Sequence, residues 1–354
     1  MEPMYIYATP AQVKQELDFL KAKANQREVN KIDSGSTCSC KVQQAPNKAT
    51  MKAIYTLLLG MLFLTTVTVQ AQTSQQKSIK YKSLSPETDH YKTISTSSVA
   101  SKGGELESIA FPMKDFRRGA YLKMRTVYLD VPVQTFKIKP YPANSSEQTR
   151  TELDFLLGLQ AKRTAQDAAL TDTMAVVYHD PFTVNPNDPD YSRNTNSLFY
   201  VGRNLGPWFN PEQLPVTSRV LQNVIQDATY YFFSLKAQFN RARPYHLEPR
   251  LQNLEAPGHA SYPSGHSSAS HVHAYLLGHL LPEYKDQFLS NAYDMAFSRE
   301  IRGVHYPSDS EAGREFAEQF VAHLLKSKTF KADLEAMKAE IAAVMAENKL
   351  TTAK

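Results

Sequence analysis

Apolar residues recur at helical spacing through the second half of the chain. Val220, Leu221, Val224, Ile225, Ala228, Phe232 and Leu235 make one stripe, and Leu289, Ala292, Tyr293, Ala296 and Phe297 a second. Phe316, Ala317, Phe320, Val321 and Leu324 make a third, and Leu334, Met337, Ile341 and Val344 a fourth. Each pattern has the three-to-four-residue period of a helix with one buried face. Further upstream, Leu153, Leu156, Leu157, Ala161, Ala165 and Ala168 predict a helix over Thr149–Asp172. Between Ile109 and Tyr141 apolar and polar residues mix around Pro112, Pro132 and Pro140, which predicts short extended pieces or loops. Asp180–Pro215, rich in Asn, Pro, Tyr and Gly, reads as a long loop, and loops of that length usually serve function. No strand–helix alternation and no glycine-rich phosphate loop occurs. The expected fold class is all-α, a bundle of packed helices.

The first hundred residues have a different character. Residues 1–50 are polar and mixed. Met51-Lys52 then opens an apolar run from Ala53 to Val69 that ends in Val69-Gln70-Ala71. A basic residue, a short apolar stretch and a small residue two positions after a valine predict a secretory signal over 51–71, cleaved after Ala71. The run is short for a membrane span and carries four threonines, so retention as an anchor is the lesser alternative. Such signals open a chain, so Met51 is read as the initiator and 1–50 as a non-native or disordered extension. Residues 72–101, rich in Ser, Thr, Gln and Lys, read as a linker, which leaves 102–354 as a single helical domain. The expected location is periplasmic or secreted.

Charge and cysteine content narrow the possibilities. The net charge is +5, of which residues 1–71 hold +3, so the remaining chain has no nucleic-acid footprint. Cys38 and Cys40 are the only cysteines, too close for an easy disulfide and too few for a tetrahedral metal site.

Three stretches carry the chemistry. In the first, Lys236 precedes Arg243-Pro244 by seven residues, two helical turns, which places Lys236 and Arg243 on one face where their charges repel unless an anion lies between them. Pro244 biases Arg243 away from helix. The second, Pro263-Ser264-Gly265-His266, stands before the apolar-periodic run Ala269, Val272, Leu276, Leu280. Proline suits a first helical turn, the free N–H groups of such a turn bind anions, Gly265 lets a ligand approach the backbone, and His266 brings a titratable proton. The third holds Ser298-Arg299, His305 and Asp309. Ser308 and Glu311 have capping-box spacing, which predicts a helix start there. A carboxylate at Asp309 able to bond one His305 nitrogen leaves the other free to attack.

The order Lys, six residues, Arg-Pro; Pro-Ser-Gly-His; Ser-Arg, five residues, His, three residues, Asp resembles the signature of the type 2 phosphatidic acid phosphatase superfamily and the vanadium-dependent haloperoxidases. Within it the chain most resembles the bacterial class A nonspecific acid phosphatases, over roughly residues 150–345. Ala165-Gln166-Asp167-Ala168, Arg241-Ala242-Arg243-Pro244, Ser261-Tyr262 and Gly303 through Arg314 supply the context. Tyr306 stands where many relatives carry tryptophan. The resemblance implies that Lys236, Arg243, Ser264, Gly265 and Arg299 hold the phosphoryl group. It implies further that His305, oriented by Asp309, attacks phosphorus, and that His266 protonates the leaving alcohol. It implies phosphomonoester substrates and no metal or other cofactor, with vanadate as an inhibitor. His259, His271, His273 and His279 raise the question of a metal site, but His271 and His273 on one helix point apart.

Three other readings stay open. A haloperoxidase would hold vanadate as cofactor in the same pocket, since vanadate and phosphate ask for nearly the same donors. A non-enzymatic phosphate-binding protein would not need both histidines and Asp309. A membrane lipid phosphatase needs several spans of about 20 apolar residues, and only one short run exists. No stable membrane span is expected in the mature form. Oligomeric state is left open, a homo-oligomer included.

Overall fold

The structure, a computed structural model, describes residues 103–178 and 186–352. The extension over 1–50, the signal over 51–71 and the linker over 72–101 lie outside the described residues, as do residues 180–185 of the expected loop. Among the described residues the regular elements are helical, and the one bridge of strand type pairs Ala110 with Arg241. The segment 105–135 is irregular chain punctuated by 3-10 turns at Glu105–Ser108, Met113–Asp115, Gly119–Lys123 and Val133–Thr135.

The helix expected over Thr149–Asp172 is two helices, α1 (Glu147–Lys162) and α2 (Ala165–Ala175). The break has a local cause. The Thr164 side chain accepts from the Asp167 N–H while the Asp167 carboxylate accepts from the Thr164 N–H, a capping box that starts a new helix. The expected loop also contains structure, α3 (Tyr191–Ser197) and a 3-10 turn at Tyr200–Gly202. Its aromatic residues are why: Phe199 and Phe209 are buried against each other edge to face.

α4 (Pro215–Phe239) buries all seven stripe positions named above. Pro215 occupies its first turn, where the missing N–H costs nothing. The helix ends because Asn240 adopts a left-handed conformation, φ 48°, and its N–H bonds the Lys236 carbonyl. After the four-residue α5 (Pro244–Leu247) comes α6 (Gly265–Leu280). α7 (Lys285–Ile301), α8 (Pro307–Leu324) and α4 all pack on α6, which is the central helix. Its sequence suits that place: Ser267, Ser268, Ala269 and Ser270 are small and fully covered, and Val272, Leu276 and Leu277 are fully buried. Contact is closest at Gly313 of α8. A Cβ there would stand 2.9 Å from the Ser264 carbonyl oxygen, the Ser267 Cβ and the Ser268 nitrogen. Only glycine lets α8 lie against the start of α6.

The third stripe is buried as expected. On α7 the buried face is Phe288, Ala292, Met295 and Ala296, displaced from the expected stripe, with Tyr293 and Phe297 at its margin. α9 (Lys331–Thr352) returns to α4, where Met337 and Ile341 are buried and Glu340 accepts the Val216 and Thr217 N–H groups at 2.8 and 2.7 Å.

Candidate active site

The three motif stretches meet around the start of α6. Backbone bonds tie them: the Ser261 N–H donates to the Arg241 carbonyl and the Ser264 N–H to the Asp309 carbonyl, each at 2.9 Å. Three local expectations are corrected here. Pro263 is not in the first helical turn, because Ser264 is the N-cap, its side chain accepting from Ser267 N–H, and Gly265 is the first helical residue. Lys236 and Arg243 do not share a helix face, because α4 ends at Phe239 and Arg243 is extended. α8 starts with Tyr306 as N-cap rather than through a Ser308–Glu311 box; the Asp309 carboxylate accepts the Tyr306 N–H at 3.1 Å.

Arg243 and His305 come together by a different route, at the end of α7. Gly303, at φ 70°, takes a conformation that few other residues tolerate, its N–H bonds the Glu300 carbonyl, and the Val304 N–H bonds the Arg299 carbonyl. This is a Schellman turn, and it aims the next two residues back into the site. Arg243 Nη1 then donates to the Val304 carbonyl at 2.7 Å and to His305 Nε2 at 3.0 Å. His305 Nδ1 lies 2.9 Å from Asp309 Oδ2. These partners assign the tautomer: Nδ1–H donates to the carboxylate, and the Nε2 lone pair accepts from Arg243.

The cations are buried and crowded. Lys236, fully covered, donates from Nζ to the carbonyls of Ala260, Ser261 and Pro263 at 3.0, 2.9 and 2.5 Å. Burial first, then the Arg243 charge, holds its pKa well below the ordinary lysine value. Burial pushes Arg243 down to about 10. Arg299 is likewise held far below the usual arginine range by burial and by the charges of Arg302 and Arg243. Its Nη2 pairs with Glu255, while Nε and Nη1 are buried without a hydrogen-bond partner. Burial and Arg243 also hold His305 well below the ordinary histidine value, so it is neutral. Burial alone would protonate Asp309; Arg241 and the His305 N–H outweigh it and hold the acid below the usual carboxylate range. Each buried cation raises the cost of its neighbours' charge, and an anion between them would relieve all three.

Gly265 lies close to Lys236: a Cβ there would come 3.3 Å from the Phe232 ring and 3.6 Å from Lys236 Cε. Ser264 is buried at the N-cap. His266 is half-buried on the first turn of α6, with Nε2 3.2 Å from the Ala175 carbonyl at the end of α2. His259 is not a ligand-type histidine here, since Arg243 Nη2 donates to its Nδ1 at 2.9 Å. His271 and His273 do point apart: His271 Nδ1 is 2.9 Å from the Ser267 carbonyl, and His273 Nδ1 is 3.1 Å from the Tyr178 hydroxyl.

Several polar residues around the site were assigned no role from the sequence. Arg241 bonds Asp309 Oδ1 at 2.7 Å, and Ser261 donates to Asp309 Oδ2 at 2.5 Å. Glu152 of α1 faces Arg241, and Glu255 joins Arg299 to Arg302. For Arg241 and Ser261 the signature context was a signal; Glu152 and Glu255 look like ordinary surface acids in the sequence.

Residues 217–329 match the family model of the PAP2 superfamily. A non-specific acid phosphatase of Salmonella typhi is 32% identical over 145 residues, 39% of this chain and 57% of that protein. One of Providencia stuartii is 32% identical over 136 residues, 36% of this chain and 54% of that protein. The chain thus spans about half the length of the curated relatives it matches. A solved structure described as the first bacterial vanadium-dependent iodoperoxidase aligns with a TM-score of 0.46 at 17% identity, over 67% of this chain and 64% of that one.

Proposed function

We propose that the chain is an acid phosphatase that hydrolyses phosphomonoesters through a phosphohistidine. One observation carries the reading: His305 Nε2 accepts from Arg243, which lies in a buried cluster of cations with Lys236 and Arg299, while Asp309 holds the other ring nitrogen. The similarity to non-specific acid phosphatases supports it. The phosphoryl oxygens sit among the three cations, the Ser264 hydroxyl and the Gly265 N–H. His305 Nε2 forms a bond to phosphorus as the ester P–O bond breaks, and His266 gives its proton to the departing alkoxide. A water then attacks phosphorus, its proton passes to His266, the N–P bond breaks, and phosphate leaves. Charge on the equatorial oxygens is met by fixed cations, so the step asks for no metal.

The apolar run over 53–69 fits export, so a periplasmic or secreted location belongs to this proposal. Among the described residues no helix is long and apolar enough to cross a membrane.

Rapid quench with labelled phosphoester tests the roles. His305→Ala abolishes turnover and labelled phosphoenzyme. His266→Ala still accumulates label from nitrophenyl phosphate, whose leaving group needs little protonation, but slows alkyl phosphates about 10²–10⁴-fold. Label trapped on His305→Ala but absent from His266→Ala reverses the two assignments. Activity survives excess chelator, and vanadate inhibits competitively and more tightly than phosphate. A complete, metal-restorable loss overturns the mechanism, and bromide oxidation by peroxide with vanadate bound favours the haloperoxidase reading.

A further inference from the structure

We propose that Arg241, braced by Glu152, is a positioning residue for the His305–Asp309 pair: it keeps the Asp309 carboxylate ionised and turned so that one oxygen faces His305. The inference rests on the reading of His305 as nucleophile and extends it to residues outside the phosphoryl pocket.

Asp309 is fully covered, and a covered carboxylate left to itself takes up a proton. A protonated Asp309 could not be relied on to accept the His305 Nδ1–H. The two Asp309 oxygens are divided between two tasks. Oδ2 receives His305 Nδ1–H, the Ser261 hydroxyl and the Tyr306 N–H, while Oδ1 receives Arg241 Nη1. Arg241 therefore fixes the rotation of the carboxylate from the side away from the nucleophile.

Arg241 is itself locked. Its guanidinium carbon stands 3.7 Å from the Tyr306 ring centroid, a stacked cation–π contact. Nη1 also donates to the Ser308 hydroxyl at 2.8 Å, and Nη2 reaches Glu152 at 3.3 Å. Glu152 in turn accepts the Ser308 N–H at 2.7 Å and the Ser308 hydroxyl at 2.9 Å, at the start of the helix that carries Asp309. Every group in the row Glu152, Arg241, Asp309 is fully covered, so water does not weaken the contacts between them. Burial pushes Glu152 up to about 7 against the pull of Arg241. A structural arginine between helices would need one carboxylate; two on opposite ends of one guanidinium set its direction as well as its charge.

The experiment compares the full chain with Arg241→Met, Arg241→Lys and Glu152→Gln. The readouts are kcat and KM for p-nitrophenyl phosphate, inhibition by inorganic phosphate, and ¹⁵N NMR of the histidine rings. Arg241→Met lowers kcat roughly ten- to a hundredfold, the scale of a displaced catalytic group, while KM and the phosphate inhibition constant stay within about threefold. Arg241→Lys restores part of the loss. Glu152→Gln, close to isosteric, lowers kcat severalfold at unchanged KM and carries the test if Arg241→Met does not fold. In each variant with lowered kcat, the Nδ1–H signal of His305 moves upfield or the tautomers mix. Wild-type kcat in folded Arg241→Met or in Glu152→Gln overturns the proposal. So does an unchanged His305 spectrum, or a rise of KM and the phosphate constant alongside the loss of kcat, which would make Arg241 part of the anion site. A wild-type chain inactive on every phosphoester removes the phosphatase reading, while the NMR comparison still decides the positioning.

Discussion

Arg243 does several jobs with one guanidinium. It donates to the Val304 carbonyl, to His305 Nε2, and to the His259 ring and carbonyl. A lysine cannot reproduce that fork. Arg243→Lys should therefore cut kcat/KM by about a hundredfold or more although the charge is kept, measured with p-nitrophenyl phosphate; an effect below threefold would show that charge alone suffices. The sequence disclosed Arg243 because the Arg-Pro pair belongs to a spaced signature. It could not disclose Glu152, which stands between Thr151 and Leu153 on α1 in no motif and whose role depends on Ser308, 156 residues later. Periodicity reports which face of a helix is apolar, not which single acid on it meets a buried arginine.

At the scale of elements, α6 is central because small residues let its neighbours approach. Gly313→Ala places a methyl against backbone atoms of Ser264 and Ser268 that cannot move independently of the anion loop. It should cost about 1–3 kcal/mol and lower kcat together, read by thermal melting and by turnover; full stability would mean that α8 can slide. α6 also carries two buried histidines. Burial pushes His271 down to about 3 and His273 down to about 4. The unfolded chain takes up protons at these rings near pH 6.5 while the folded chain does not. Stability is therefore present above about pH 6.5 and is lost as the pH falls towards the folded values. For His273 the loss at pH 5 is about 2 kcal/mol. His273→Gln should flatten the dependence of the melting temperature on pH between 6.5 and 4.5; an unaltered slope would remove this account. The four downstream helices were legible from their stripes. The split of Thr149–Asp172 was not, because Thr164 and Asp167 lie inside an uninterrupted apolar period and only the capping box divides it. The hidden helix α3 has a polar sequence and is held by its surroundings.

At the scale of the whole molecule, the last helix secures the element that delivers Lys236. Glu340 satisfies two N–H groups at the start of α4, far from the anion pocket. Glu340→Ala should lower stability by about 1 kcal/mol and leave KM unchanged, compared by denaturant melts and kinetics; a changed KM would reveal coupling along α4. The same bond has a consequence for how the chain is made. The Thr217 N–H waits for a residue 123 positions later, and the Glu152 carboxylate for one 156 positions later. A ribosome delivers α4 long before α9 exists, so a nascent chain holds this 25-residue helix with an open first turn and no finished pocket. Assembly of such distant pairs is slow, because the intervening loops must close before the contacts reward them. Through that interval the emerging helices depend on remaining unaggregated, and the pocket around His305 closes only once α8 has been made.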